Sequence, residues 1–380
     1  MKCIINGKII LEDKVLTDSA IIFDEKIQEI LPENEVNTVE YEIIDANGNY
    51  VAPGLIDMHI HGFLGYDASD GSEEGIKKMA EGIVKNGVTS WCPTTMTVSK
   101  EEIEKAFDTI RNVKNLSEYY GAKIIGANSE GPFINASKKG AQAEEHILKP
   151  DASFIKKHSD IVKLFTVAPE VCGAKECIEE ITKDTDVLIS MGHTNATYEE
   201  AMEGIKWGVK HTTHLFNAMT PLSHRLPGVV GAALKEDVSV ELIADTFHID
   251  KGVFEIVSKL KGEKLCLITD CIRAGGMADG DYTLGGQPLK KEGIKCLMAD
   301  GTIAGSVLNL NMGVKNLYEN TDLEIYDAVN AASLNPAKAL KVDDKIGSIK
   351  EGKCADLIIL DDKFNVNMTI IDGIVRYKGE

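Results

Sequence analysis

The stretch Ala52-Pro53-Gly54-Leu55-Ile56-Asp57-Met58-His59-Ile60-His61 is an apolar run that ends in two histidines. Similar runs, apolar or β-branched and closed by a polar residue, return along the centre of the chain. They predict strands at 54–61, 89–94, 123–130, 162–170, 187–193, 211–216, 239–248 and 265–270. Helical patterns lie between most of them, for example at 73–86, 100–113 and 198–207. Alternating strand and helix means a parallel sheet, and eight repeats point to a closed ring. The near-continuous apolar strands fit burial on both faces, by helices outside and a packed core inside.

The fold class read from this pattern is α/β, a (β/α)8 TIM barrel over residues 52–344. The segments outside it look different. Short β-branched runs fill the first fifty residues, with Asn6-Gly7 as a turn, and similar runs with the turn Asp372-Gly373 fill the end. Neither segment has a second layer to pack on. The economical expectation joins 1–51 and 345–380 into one small β-sandwich domain beside the barrel. Two stretches interrupt the alternation: a long loop at 217–231 and an insertion at 271–305, whose Asp279-Gly280 and Gly285-Gly286 read as a hairpin.

Composition narrows the function classes. Sixty acidic against 41 basic residues give a net charge of −19. Nucleic acid and anionic membrane both demand clustered cations, so neither is an expected partner. An anionic substrate would need positive charge supplied locally. Eight cysteines without a C-x-x-C spacing, in a chain with ample apolar material, predict reduced thiols and a cytoplasmic protein. No apolar run has the length of a membrane span.

The polar residues gather at one end of the expected strands: His59, His61, Thr94, Glu130, Glu170, His193, His214, His248 and Asp270. Barrel enzymes build their sites on that face. Five of the nine histidines are among these residues, which random placement would not favour. Side chains two apart on a strand share a face about 7 Å apart, so His59 and His61 can converge on one cation. Glu130, fixed between an apolar run and Gly131-Pro132, can bridge two cations. His193 and His214, taken singly, would more often be hydrogen-bonded structural residues; together with the other three they read as ligands. Asp270 faces the barrel mouth, where a carboxylate can accept a proton from cation-activated water and deliver it to a leaving nitrogen. His193 or a cation can stabilise the oxyanion that develops.

This constellation resembles the amidohydrolase superfamily. Longer stretches are similar to the N-acetylglucosamine-6-phosphate deacetylases within it: 129–133 (SEGPF), 192–198 (GHTNATY), 214–219 (HLFNAM), 304–306 (AGS), 335–337 (NPA) and 346–357 (IGSIKEGKCADL). The resemblance runs along essentially the whole chain. It implies hydrolysis of the acetamide of N-acetyl-D-glucosamine 6-phosphate to D-glucosamine 6-phosphate and acetate. Glu130, His193 and His214 would hold a principal metal; His59 and His61, with Glu130 bridging, would hold a second; Asp270, beside both, would be general base and then acid. One or two divalent ions per subunit are implied, with zinc, iron, manganese and cobalt all open.

Asn217, Ala218 and Arg225 would meet the phosphate, Arg225 from a neighbouring subunit of a homodimer, and His248 would contact the sugar. Ile303 and Ala304 would close over the acetyl group. Gln142 is a candidate substrate contact where some relatives carry a histidine, and Asn128-Ser129 departs from a frequent His-Leu. Cys271, directly after Asp270, reads foremost as a small buried residue. Superfamily members that use a carboxylated lysine carry it near the end of the fourth strand. Here Lys163 lies at the opposite end, which leaves Glu130 as the bridge. Two other readings stand beside this one: deacetylation of another N-acetylated sugar phosphate, such as N-acetylgalactosamine 6-phosphate, and a metal-free scaffold.

Overall fold

A computed structural model describes residues 1–116 and 121–379, so residue 380 of the expected terminal segment lies outside it. Eight parallel strands form the central ring: β1 (Leu55–Ile60), β2 (Val88–Thr95), β3 (Ala127–Glu130), β4 (Val162–Val167), β5 (Leu188–Met191), β6 (His211–Thr212), β7 (Ser239–Ile243) and β8 (Leu265–Ile268). Each pairs in parallel with the next. The ring shuts at its rim. Asp270 N–H donates to the His59 carbonyl at 2.9 Å, and the N–H groups of His61 and Gly62 donate to the Cys271 carbonyl at 2.8 and 2.9 Å.

Several strands are shorter than their apolar runs suggest. The third breaks after Lys123–Ile124 and resumes at Ala127. At the break, a Cβ on Gly126 would lie 2.5 Å from the Ile161 carbonyl oxygen, so only glycine permits this approach of two backbones. The fourth stops at Val167, before Pro169, which has no N–H for the ladder. The sixth ends at Thr212 and the seventh at Ile243.

His193, His214 and Asp270 therefore sit not on strands but two residues beyond them, following Met191, Thr212 and Ile268. All three have left-handed backbones, with φ of 46°, 28° and 49°. Non-glycine residues seldom adopt this conformation, and where they do a function commonly demands it.

The outer helices start where their caps dictate. Ser99 and Glu102 form a capping box ahead of Lys100–Lys114, and Thr197 and Glu200 another ahead of Tyr198–Trp207. The insertion after β8 is not a single hairpin but a three-stranded antiparallel sheet, Gly280–Leu284, Gln287–Glu292 and Lys295–Met298. Its second turn is at Gly293, with φ of 60°.

The two ends of the chain meet. Leu357–Leu360 pairs antiparallel with Tyr50–Pro53, inside a six-stranded sheet that also takes Lys8–Ile10 and Val366–Ile371. A second sheet of four strands from the first 45 residues faces it. Ile4, Ile21, Phe23, Val51, Leu357 and Ile370 pack between the two.

Candidate metal centre and active site

Four imidazoles turn their Nε2 atoms to one point at the rim of the ring. His59 Nε2 lies 3.2 Å from His61 Nε2, and His193 Nε2 lies 3.1 Å from His214 Nε2. Three of the rings are oriented from behind through Nδ1. His59 donates to Glu241 Oε2 at 2.9 Å, His61 to the Thr94 carbonyl at 3.2 Å, and His193 to the Lys138 carbonyl at 2.9 Å. Each donation places the proton on Nδ1 and leaves Nε2 as a lone pair aimed inward. His214 Nδ1 is buried and has no partner among the described residues.

Two carboxylates complete the cluster. Glu130 Oε1 is 2.9 Å from His214 Nε2 and 3.2 Å from His193 Nε2, while its Oε2 is 3.1 Å from His61 Nε2. Asp270 Oδ1 is 3.2 Å from His61 Nε2 and 3.5 Å from His59 Nε2. Two triads emerge, Glu130–His193–His214 and His59–His61–Asp270, and each triad's ligand atoms lie within 4.8 Å of one another. Glu130 reaches both, with Oε2 toward His61 and Oε1 toward His193 and His214 and also 3.4 Å from His59 Nε2.

The donor set fits a divalent cation. Lone pairs on facing nitrogens 3.1 to 3.2 Å apart repel unless something positive lies between them. Four ligands around a tetrahedral ion at about 2.0–2.1 Å are themselves about 3.3 Å apart, close to the spacing seen here. The electrostatics agree. Burial works to raise Glu130, yet His59, His193 and His61 hold its carboxyl well below the usual range. Burial works to lower His59, yet Glu241 and then Glu130 lift it to about 9. His61 is lifted well above its usual value by Glu130 and Asp270 against the same burial. A buried site that draws positive charge this strongly is built to hold cations.

The cluster opens into a cavity of about 350 Å³ lined by, among others, Gln142, Asn217, Ala218, His248 and Ile303. Gln142 is buried and donates through Nε2 to Glu130 Oε2, so it steadies that carboxylate as well as lining the cavity. Asn217 donates to the carbonyls of His214 and Leu215. His248 Nδ1 donates to Asp245 Oδ2 at 2.7 Å, which fixes its ring. Ala304 is buried and does not line the cavity; its neighbours Ile303 and Gly305 do. Arg225 does not line it either. It is exposed on the loop after β6, between the exposed Leu222 and Leu226.

Glu170, a strand-end acid by sequence, is apart from the cluster. It accepts from Asn135 Nδ2, Thr194 Oγ1 and Asn195 N–H and braces the loop that carries His193.

Three residues escaped sequence reasoning. Glu241 and Asp57 are fully buried acids inside apolar strands, at Val240-Glu241-Leu242 and Ile56-Asp57-Met58. Asp57 accepts from Thr269 Oγ1 and the His59 N–H beneath the rim, and burial pushes it up to about 7 against those hydrogen bonds. An acid flanked on both sides by apolar strand residues was the available signal, because buried acids need partners. Lys138 is the only lysine or arginine among the described residues that line the cavity.

The amidohydrolase family model matches residues 50–375. The chain is 37% identical over 378 residues to the N-acetylglucosamine-6-phosphate deacetylase of Bacillus subtilis, covering 97% of this chain and 95% of that one. It is 32% identical over 343 residues to the N-acetylgalactosamine-6-phosphate deacetylase of Escherichia coli, covering 89% and 90%. The crystal structure of N-acetylglucosamine-6-phosphate deacetylase from Pasteurella multocida is similar with a TM-score of 0.94 and 31% identity over the whole of both chains.

Proposed function

The chain belongs to the amidohydrolase family, and on that premise we propose that it removes the acetyl group of N-acetyl-D-glucosamine 6-phosphate, yielding D-glucosamine 6-phosphate and acetate. The observation that carries this reading is the convergence of His59, His61, Glu130, His193, His214 and Asp270 at the mouth of one cavity. Glu130, His193 and His214 would hold one divalent ion, and His59, His61 and Asp270 a second, with Glu130 spanning the two. Such a cation lowers the pKa of water toward 7 and polarises a carbonyl.

The chain's own groups do the rest. Asp270 lines the cavity as a carboxylate, accepts the proton of the attacking water, and returns it to the sugar nitrogen as the C–N bond breaks. His193, its Nδ1 proton given to the Lys138 carbonyl, would act at the carbonyl oxygen only as a ligand of the cation beside Glu130. His248, held by Asp245, is placed to meet the sugar, and Gln142 shares the wall with it. Ile303 provides an apolar surface for the acetyl methyl, with Ala304 packed behind.

The phosphate would be met by Asn217, by the Ala218 backbone and by cations. Lys138 answers part of the demand for local positive charge. Arg225 answers the rest in a homodimer, because it lies outside its own cavity on a loop that also exposes Leu222 and Leu226. The barrel, 52–344, would carry all of this chemistry, with the sandwich of 1–51 and 345–380 as its buttress. Among the described residues no helix is long and apolar enough to cross a membrane. We read the enzyme as cytoplasmic, a reading that the free cysteines and a phosphosugar substrate support.

The test is metal content and acetate release measured on one preparation. We expect one to two zinc, iron, manganese or cobalt ions per chain and loss of activity on chelation. Full activity in chelator, from protein free of metal, would remove the mechanism. The similarity to an N-acetylgalactosamine-6-phosphate deacetylase supports one alternative, the C4 epimer as substrate. A panel of both N-acetylhexosamine 6-phosphates, with unphosphorylated controls, decides between them.

A further inference from the structure

Glu241 lies in the middle of β7 with none of its surface exposed, and no step above uses it. One of its oxygens, Oε2, accepts from two groups: His59 Nδ1 at 2.9 Å and the backbone N–H of His214, also at 2.9 Å. The other, Oε1, lies 3.2 Å from His211 Nε2, and His211 Nδ1 lies 2.6 Å from Ser239 Oγ. The Glu241 carbonyl in turn accepts from the Leu215 N–H at 2.9 Å. The residue therefore grips the chain on both sides of the His214 side chain.

The remaining contacts that orient the histidine rings each serve one triad. The Thr94 carbonyl holds His61, and the Lys138 carbonyl holds His193. Glu241 serves both, since His59 belongs to one triad and His214 to the other. His214 depends on it in a particular way. Its ring has no contact through Nδ1 among the described residues, and its backbone sits at a φ of 28°. The ring is aimed by its main chain, and the main chain is anchored on Glu241.

We propose that Glu241 is a positioning residue shared by the two cation positions, one buried negative charge that sets their spacing and strengthens metal binding at both, with His211 and Ser239 as its support. This rests on the metal-centre reading above. A purely structural acid would be replaceable by glutamine. The amide oxygen can take the place of Oε2, and the amide NH2 can donate to His211 Nε2 once the His211 proton sits on Nδ1, facing Ser239 Oγ. Size and hydrogen bonds survive that exchange and only the charge is lost.

The experiment titrates metal-stripped wild-type protein and Glu241→Gln with Co²⁺, following the visible absorption of the bound ion against a competing chelator. The wild type should bind two ions. The variant should bind both about 10–100-fold more weakly, the range expected for loss of an outer-shell partner. The metal-free variant should still unfold in one cooperative thermal transition, so that weaker binding is not loss of the fold. His61→Ala provides the contrast, weakening one position far more than the other. Should Glu241→Gln fail to fold, His211→Gln removes the support and leaves Glu241 in place; it should weaken both positions by a smaller, similar factor. A wild type that binds two ions beside a glutamine variant that binds them equally well overturns this inference alone, as does weakening confined to one position. A wild type that takes up no Co²⁺ overturns the metal-centre reading, and one that binds a single ion overturns the shared joint.

Discussion

The two ends of the barrel make an instructive pair. The cavity at the rim is about 350 Å³; one at the opposite face, where β5 to β8 begin, is larger at about 480 Å³. The larger cavity is lined by Lys163, Lys210, Lys264, Lys338 and Lys341, with acids beside them. Lys338 pairs with Glu263 at 2.7 Å, Lys341 with Asp186 at 3.1 Å, and Lys264 with Asp237 at 3.4 Å. All of these side chains are substantially exposed, and pairs of that kind contribute little because water screens them and chain entropy opposes them. At the rim the ionisable groups are buried, share partners and converge on one another. Volume does not distinguish the functional end; desolvation and convergence do.

The contrast can be broken most directly at Asp270. Asp270→Asn should keep the ion held by Glu130, His193 and His214, and lose about 10²–10⁴-fold in kcat, the range for a general acid–base group. Near-normal turnover in that variant, with metal content verified, would reject Asp270 as the proton carrier.

Arg225→Ala sharpens the question of where the phosphate's counter-charge comes from. KM for the phosphosugar should rise roughly tenfold or more, as expected on losing a charge-assisted bidentate contact, while kcat/KM measured with the unphosphorylated sugar should not change. An unchanged KM would place the phosphate elsewhere. Lys138→Ala should act in the same direction but by a smaller factor, about threefold to tenfold, because a lysine meets phosphate as a point charge. Equal effects on phosphorylated and unphosphorylated sugars would show that Lys138 does not touch the phosphate.

The smallest effect belongs to the other face. Lys338→Ala should leave kcat and KM alone and change stability by no more than about 1 kcal/mol, read from chemical denaturation. A loss of activity there would mean that the second cavity communicates with the first.

That the six side chains of the cluster meet was readable in the sequence, because His59, His61, Glu130, His193, His214 and Asp270 each follow an apolar run, and in a barrel such runs end at a common rim. The lengths of the strands were not readable. Apolar sequence continues through Thr213 and Leu215 although pairing stops at Thr212, since tertiary contacts, above all those with Glu241, hold the chain in a left-handed turn there. The second turn of the insertion was hidden for a similar reason, as Glu292-Gly293 lies in a charged stretch that reads as loop. Glu241 and Asp57 were missed because the apolar pattern around each absorbs one acid without losing its strand character. Arg225 does not line the cavity of its own chain although Asn217 and Ala218 on the same loop do, and nothing in the periodicity of the sequence signals that difference.

The seam of the ring has a consequence of its own. The hydrogen bonds that join last strand to first run from Asp270 to His59 and from His61 and Gly62 to Cys271, so the backbone of the reaction centre is also the latch of the barrel. An open, partly assembled chain holds Asp270 away from the two histidines it must stand beside, and has no competent centre to misuse. Completing the cylinder and arming the chemistry are one event.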